Sequence, residues 1–325
     1  MPAESLNPTA SISEPTERST SVVLAVDFGG TKVESALVDE TGTLLEGSRF
    51  RHPTGRDRSA DELAEAVSSV CRSSLRALPD TLSLRGIGIG AAGPIDRDKG
   101  LVSPVNLQVW RDFPLRDTVA AVAREFGHSA PAVLRLDGLC ITLAENWVGA
   151  GRGRDNMMGM IVSTGVGGGV ISGGSVVAGF SGNAGHIGQL EVPGFTDVDA
   201  PCTLEEIAAG PHTVAWAQAR GFEGETGEDL ARAYAAKDRI AVAAVTRSGT
   251  AIGRAIASVS TLLDLEVVVI GGGFARVSPD LFDIIRTAID RYSRFDYARR
   301  VEVLPTGLDT DGPLIGAAAL VYRSV

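Results

Sequence analysis

The sequence predicts an α/β protein made of two similar lobes with a cleft between them. Three observations predict it. A short β-rich run at residues 21–26 empties into a Gly-rich turn and a second β-rich run at 33–38. The same order of strand, Gly-rich turn and hairpin strand returns at residues 158–178. Helical spacing of apolar residues follows each opening, the alternation that α/β folds require. At roughly 150 residues per domain, a chain of 325 residues holds about two. Its 44% hydrophobic and 22% charged residues give a globular balance.

Residues 1–20 carry Glu4, Glu14, Glu17 and Arg18 among Ser, Thr and Pro with no apolar stretch, which predicts a disordered tail rather than a signal peptide. The N-terminal lobe is expected over 21–135. Its first strand ends in Asp27-Phe-Gly-Gly-Thr-Lys32, and Asp39-Glu-Thr-Gly42 reads as the turn from the second strand into a third. Residues 61–78 place Leu63, Val67, Val70, Ser74 and Leu75 near one helix face behind an acidic first turn. A buried strand at 86–91 comes next. Leu115, Val119, Val122, Ala123 and Phe126 then mark a helix that Gly127 can close. Residues 132–136 form a strand, with Asp137 opening the next helix.

The C-terminal lobe is expected over 136–325. Residues 158–162 are a strand running into Ser163-Thr-Gly-Val-Gly-Gly-Gly169, and Gly173-Gly174 turns the hairpin. Residues 239–263 contain no Pro and only two Gly, so they read as one long helix. Residues 265–270 are a strand ending at Gly271-Gly-Gly273. Residues 279–292 and 313–322 are helical, and the last helix can pack back on the N-terminal lobe.

Composition removes several function classes. Lys plus Arg number 30 against 40 Asp plus Glu, and a net charge of −10 repels nucleic-acid phosphates over the whole surface. Cys71, Cys140 and Cys202 lie far apart with no C-x-x-C pair, which fits a reducing cytosol. No apolar run approaches the ~20 residues that span a bilayer. A cytoplasmic protein with a small-molecule ligand is expected, without nucleic-acid or membrane partners.

Asp27, Gly29, Gly30, Thr31 and Lys32 sit on a strand-to-strand turn. Glycines there let backbone N–H groups approach an anion, beside a hydroxyl and a cation. Taken alone, this is equally an ordinary hairpin turn, and it is not a P-loop. Thr164, Gly165, Gly167 and Gly168 repeat the logic, and Gly271, Gly272 and Gly273 give it a third time. Three such turns at strand ends suit a polyphosphate, which needs several donors converging on it. Gly88-Ile-Gly-Ala-Ala-Gly93 matches the dinucleotide pattern, but Pro94 follows directly and no helix starts there, so a nicotinamide enzyme is excluded. Asp137 can accept a proton from an attacking hydroxyl or merely cap a helix. His186 and Gln189 offer polar side chains about a helical turn apart. Glu205 stands outside the capping pair of Thr203 and Glu206. No histidine has a partner at metal spacing.

Together these motifs resemble the ROK family of sugar kinases and repressors. They are joined by Gly90-Ala-Ala-Gly-Pro-Ile-Asp96, Asn106-Leu107 before Trp110, Ala144-Glu145 and Gly182-Asn-Ala-Gly185. The resemblance implies the two-lobed actin-like ATPase (ribonuclease H-like) fold, ATP and Mg²⁺ as cofactors, and a homodimer, C2 being the commonest arrangement of soluble oligomers. It implies Asp137 as the base that takes the proton of a sugar's primary hydroxyl. Asp27, Gly29, Gly30, Thr31, Lys32, Thr164, Gly165, Gly167 and Gly168 would face the ATP phosphates and Mg²⁺, the metal near Asp27. Gly271 to Gly273 would lie by the adenosine. Gly93, Pro94, Asn106, Leu136, Asn183, His186, Gln189 and Glu205 would surround the acceptor.

The chain departs from the family on the acceptor side. Leu136 stands where the family has Asn before the catalytic Asp, and Leu139 where it has a further Asn. The family's Glu-x-x-His becomes His186 and Gln189, and its zinc-binding cysteines are missing, with Cys202 one position off. No structural zinc is therefore expected. Losing partners for ring hydroxyls implies an acceptor other than plain glucose. A C7-cyclitol of the valienone type is expected, as in the antibiotic pathways that diverged members serve. A kanosamine-like aminosugar and an ordinary glucokinase are the alternatives, followed by a catalytically inactive nucleotide-binding protein. A sugar-responsive repressor would need a helix-turn-helix module, and the twenty residues before the first strand lack helical periodicity.

Overall fold

The computed structural model describes residues 20–55, 57–105, 107–195 and 202–323. The expected N-terminal tail and Asn106 lie outside the described residues, apart from Thr20.

Two five-stranded sheets carry the molecule. The first is formed by β1 (Ser21–Phe28), β2 (Lys32–Asp39), β3 (Phe50–Pro53), β4 (Ser83–Ala91) and β7 (Ala132–Leu136). A short hairpin, β5 (Ile95–Asp96) and β6 (Leu101–Val102), stands between β4 and β7 in sequence. The second sheet is formed by β8 (Met157–Val162), β9 (Val166–Ser172), β10 (Ser175–Val176), β11 (Val267–Gly271) and β12 (Glu302–Pro305). The strand orders are β3-β2-β1-β4-β7 and β10-β9-β8-β11-β12. Each sheet thus runs third, second, first, fourth, fifth, with an antiparallel meander and then two parallel strands. The repetition legible in the Gly-rich openings extends to the whole strand order.

Between the sheets lie α3 (Asp137–Trp147) and α10 (Gly312–Tyr322). α10 packs on β1, β2 and β4 of the first sheet, and α3 packs on β8 and β9 of the second. The helices touch each other through small residues. A β-carbon at Gly316 would lie 1.8 Å from the Cys140 carbonyl oxygen, and one at Gly88 would lie 1.8 Å from that of Ala317. These contacts explain why Gly88 and Gly316 bear no side chain: any would break the helix packing.

The outer faces are covered separately. α1 (Ala60–Arg76) and α2 (Leu115–Glu125) close the first sheet. Ser59 and Glu62 form a full capping box at the start of α1, and Gly127 takes φ +78° after α2. α4 (Leu204–Ala208), α5 (Gly210–Gln218), α6 (Gly227–Ala235), α7 (Arg239–Leu263), α8 (Leu281–Tyr292) and α9 (Asp296–Arg299) make the remainder of the second lobe. α7 spans the 25 residues read as one helix. Its end is set by Asp264 at φ 49°, a left-handed cap. No helix among the described residues is long and apolar enough to cross a membrane.

Two local expectations change. After the turn at Asp39, Leu44 makes only an isolated bridge to Val38, and the third strand begins at Phe50. The run 163–169 is not one turn: β9 begins at Val166, so only Ser163, Thr164 and Gly165 turn. Gly168 and Gly169 are strand residues lying against α3. Their added β-carbons would come within 2.8 Å of the Gly159 carbonyl and 2.6 Å of the Leu139 Cα. Crowding by α3 at Gly169, and by β8 and residues 185–187 at Gly168, accounts for these two glycines rather than room for an anion.

Candidate active site

The cleft between the sheets holds two cavities of about 420 Å³ each. One is lined by both Gly-rich turns and the residues after β11 and β12. The other is lined by residues 92–94, Pro104, Val105, Asn183, His186, Gln189 and Glu205. Gly30, Asp137, Ile161, Ser163 and Thr164 line both, so the cavities meet at Asp137.

In the first cavity, Asp27 ends β1, and the hairpin that follows is fixed by the Gly29 N–H donating to the Lys32 carbonyl at 2.9 Å. The Thr54 hydroxyl donates to the Gly29 carbonyl at 2.9 Å. The N–H groups of Gly30, Thr31, Thr164 and Gly165 enter none of these turn bonds and are available to an anion. Lys32 lines the cavity but is ion-paired with Glu34. Glu34 is 1% exposed and also receives Arg51 at 2.6 Å and Arg49 at 3.3 Å. Burial works against its charge, yet the hydrogen bonds from Lys32 and Arg51 outweigh it and hold the carboxyl below its ordinary range. Arg49 continues to Asp311 at 2.6 Å and to the Thr310 carbonyl at 3.1 Å, tying this turn to the start of α10.

The far wall comes from Gly271, Gly272, Gly273, Arg276, Thr306 and Asp309. Gly272 takes φ +99°, and a β-carbon there would lie 2.4 Å from the Val162 carbonyl. Buried Glu145 accepts from the Thr306 hydroxyl and from the N–H groups of Ala150 at 2.8 Å and Gly307 at 3.3 Å. It thereby holds the segment after β12. A third cavity of about 470 Å³ opens from Ser163, Thr164 and Gly273 toward Pro211, Val214, Glu225, Thr226, Glu228, Phe274 and Arg276. Sequence reasoning missed these residues, which have no motif of their own. The Thr226 and Asp229 capping box was the one available signal, and it marks a helix start rather than a ligand.

Asp137 is the first residue of α3. Its Oδ1 accepts from the Gly138 N–H at 2.7 Å, and Leu136 occupies the cap position, so Asp137 is not the helix cap. Burial pushes its carboxyl up to about 6, while the Gly138 bond and His186 pull it down. Burial pushes Asp27 up to about 7, Asp137 adds to this, and Lys32 opposes it. Asp27, buried and raised further by the nearby Asp137, with the nearest lysine engaged by Glu34, suits a divalent cation that also binds phosphate oxygens.

In the second cavity, Glu205 Oε2 accepts from the Val166 N–H at 2.8 Å, and Gln189 donates to Glu205 Oε1 at 3.5 Å. The Thr203–Glu206 capping box fixes the helix that carries Glu205. His186 Nδ1 pairs with the Asn183 carbonyl at 2.8 Å, leaving Nε2 near Gly93. Gly93 and Pro94 are joined by a cis peptide and line the cavity. Asn183 lines it too, but its amide pairs with both the N–H and the carbonyl of Ile95, at 2.9 and 2.8 Å. It clamps the two lobes together at this end.

Two expected contacts line neither cavity. Leu136 is 3% exposed and belongs to the first sheet's core, beneath Gly93, where a β-carbon would lie 2.5 Å from its Cδ2. Gly168 sits in β9 against Gly138 of α3. Gly167 remains on the cleft side with open space beside it.

The ROK family model matches residues 23–324. A glucokinase of Halalkalibacterium halodurans is 29% identical over 322 residues, covering 92% of this chain and 94% of that protein. An N-acetylmannosamine kinase of Yersinia pseudotuberculosis is 34% identical over 258 residues, covering 77% and 82%. The solved structure of a ROK family glucokinase from Streptomyces griseus with glucose and AMPPNP superposes with a TM-score of 0.78 at 26% identity, covering 93% and 99%. The architecture is the two-lobed actin-like ATPase fold.

Proposed function

The chain belongs to the ROK family, and from that premise we propose that it is an ATP-dependent kinase acting on the primary hydroxyl of a sugar-like acceptor. The observation that carries the proposal is the position of Asp137, half-buried where the cavity lined by the Gly-rich turns meets the cavity lined by His186, Gln189 and Glu205. A base placed there reaches the acceptor hydroxyl while the acceptor oxygen faces a bound terminal phosphate.

The Gly138 N–H holds one Asp137 oxygen, which orients the other for the acceptor proton. The N–H groups of Gly30, Thr31, Thr164 and Gly165 bind phosphate oxygens without any reorganisation. Asp27 is the residue that would hold Mg²⁺, which would supply charge neutralisation for the transferring phosphate when bound. The Glu34 ion network keeps Lys32 beside the turn. Glu225, Thr226 and Glu228 face the cavity suited to the nucleoside.

The acceptor is a ring decorated differently from glucose, and a C7-cyclitol of the valienone type is the specific proposal. Its support is the wall itself: Pro94, Pro104, Val105 and Val166 are apolar, while His186 Nε2, Gln189 and Glu205 are the polar groups left to bond it. The presence of two carboxylates, Asp137 and Glu205, on one small cavity favours a second reading, a kanosamine-like aminosugar whose ammonium pairs with Glu205.

ATP-dependent phosphorylation followed by product mass spectrometry tests this over glucose, mannose, N-acetylmannosamine, kanosamine and valienone-type cyclitols, with Asp137→Asn as blank. Phosphate on a cyclitol or aminosugar, lost in the variant, is the expected result. Turnover of glucose alone would return the protein to ordinary glucokinases. Silence across the panel would leave a nucleotide-binding protein without kinase activity.

A further inference from the structure

Family resemblance implies a structural zinc beside the acceptor cavity, and the residues here do not fit one. Between Gly185 and Glu206, Cys202 is the only cysteine and His186 the only histidine. Cys202 is buried, and burial raises its thiol above the ordinary value. His186 already uses Nδ1 on the Asn183 carbonyl. No group of three His, Cys, Asp or Glu side chains that could hold a metal occurs among the described residues. Zinc needs about four such ligands in tetrahedral array.

The segment still has to be held. Gln189 and Glu205 sit at its two ends. The chain leaves through residues 190–192 and returns at 202–204, paired by the Val192 N–H to the Cys202 carbonyl at 3.0 Å and the Leu204 N–H to the Leu190 carbonyl at 2.8 Å. Beyond that pairing stands Phe195, faced by two guanidinium groups of α7. Arg254 lies 5.2 Å from its ring centroid and Arg247 5.7 Å. Arg254 also lies 4.7 Å from the Tyr292 ring, and Arg247 lies 5.3 Å from that of Trp216. Arg220 covers the other end of the row at 3.7 Å from Trp216. Arg247 further donates to the Ile207 carbonyl at 3.0 Å, gripping the end of the helix that bears Glu205.

We propose that this alternating row of arginines and aromatic rings replaces the metal, with Phe195 as the knob that fastens the acceptor-side segment to α7. A cation over an aromatic face is attracted without any donor geometry, so one side chain can be held from two sides at once. Phe195, Arg247 and Arg254 are therefore positioning residues: none lines the cavity, and each acts through Gln189 and Glu205.

Metal analysis and hydrogen exchange of the full chain test this independently of any acceptor. Purified protein should hold sub-stoichiometric zinc; one zinc per chain would overturn the proposal. Phe195→Leu keeps apolar bulk but removes the π face, and should speed amide exchange in peptides covering 187–195 by about tenfold. Phe195→Tyr should restore protection. Arg254→Met and Arg254→Lys repeat the comparison from the cation's side, in case Phe195→Leu disturbs folding. Equal exchange in the Leu, Met and unmodified proteins would overturn the proposal. The kinetic consequence rests on the acceptor reading above: the acceptor KM should rise in Phe195→Leu and recover in Phe195→Tyr, with the ATP KM unchanged. A parallel rise in both KM values would also overturn it.

Discussion

The two walls of the cleft are built from different material. On the side proposed for the nucleotide, the wall is built from backbone: N–H groups at two turns, glycines that admit close approach, and an ion network centred on Glu34 that is anchored in β2. On the side proposed for the acceptor it is built from side chains, His186, Gln189 and Glu205, set at a 3-10 turn and on a five-residue helix. Backbone donors survive most substitutions, whereas a side-chain pocket is remade by changing a few residues. A fixed co-substrate and a changeable acceptor call for that division.

Removing the group shared by both walls has the largest expected effect. Asp137→Asn should lower kcat by about 10³-fold with both KM values nearly unchanged, as steady-state kinetics will show. Next is a substitution in one wall that damages the other. A β-carbon at Gly165 would lie 2.6 Å from Glu205 Oε2, so Gly165→Ala should displace that carboxylate and raise the acceptor KM roughly 10- to 100-fold. The ATP KM should move much less. An equal rise in both would show that the walls are not separable.

The smallest effect concerns pH. In the folded chain without nucleotide, the Asp27 and Asp137 carboxyls sit at about 7 and about 6, above their ordinary value of 3.8. The folded state therefore binds more protons than the unfolded state between these limits. This contribution to stability is full below about pH 4 and is lost as pH rises through about 6 and about 7. Asp27→Asn should accordingly raise the melting temperature at about pH 8 by roughly 2–4 °C and leave it unchanged at about pH 4. Thermal melts at the two pH values decide it, and the rate of phosphorylation should fall as pH drops below about 6.

The nucleotide wall was the more legible in sequence, because a glycine at a strand end announces its own geometry. Strands β1, β2, β4, β7, β8 and β11, the long α7 and the Thr203–Glu206 capping box followed from periodicity and local chemistry. The glycines at 168 and 169 misled, since close packing against neighbouring backbone and anion binding both ask for a missing side chain. Leu136 misled differently: the strand's alternation turns it into the core, and adjacency to Asp137 says nothing of facing. The Phe195 clamp and Glu225 with Glu228 draw on partners scores of residues away or on cavity shape, which no local pattern records.

The place of α10 bears on how the chain is made. Val23, Ala25, Ala36 and Val38 form a small core with Leu314, Ala317 and Ala318. That face of the first sheet stays bare until the last helix has left the ribosome. With translation at about 5–20 residues per second, the 186 residues that follow Leu136, up to Tyr322, leave it uncovered for roughly 10–40 s. The first lobe to be synthesised is thus the last to be finished, and a nascent chain stalled anywhere short of residue 312 presents an apolar sheet to whatever chaperone reaches it first.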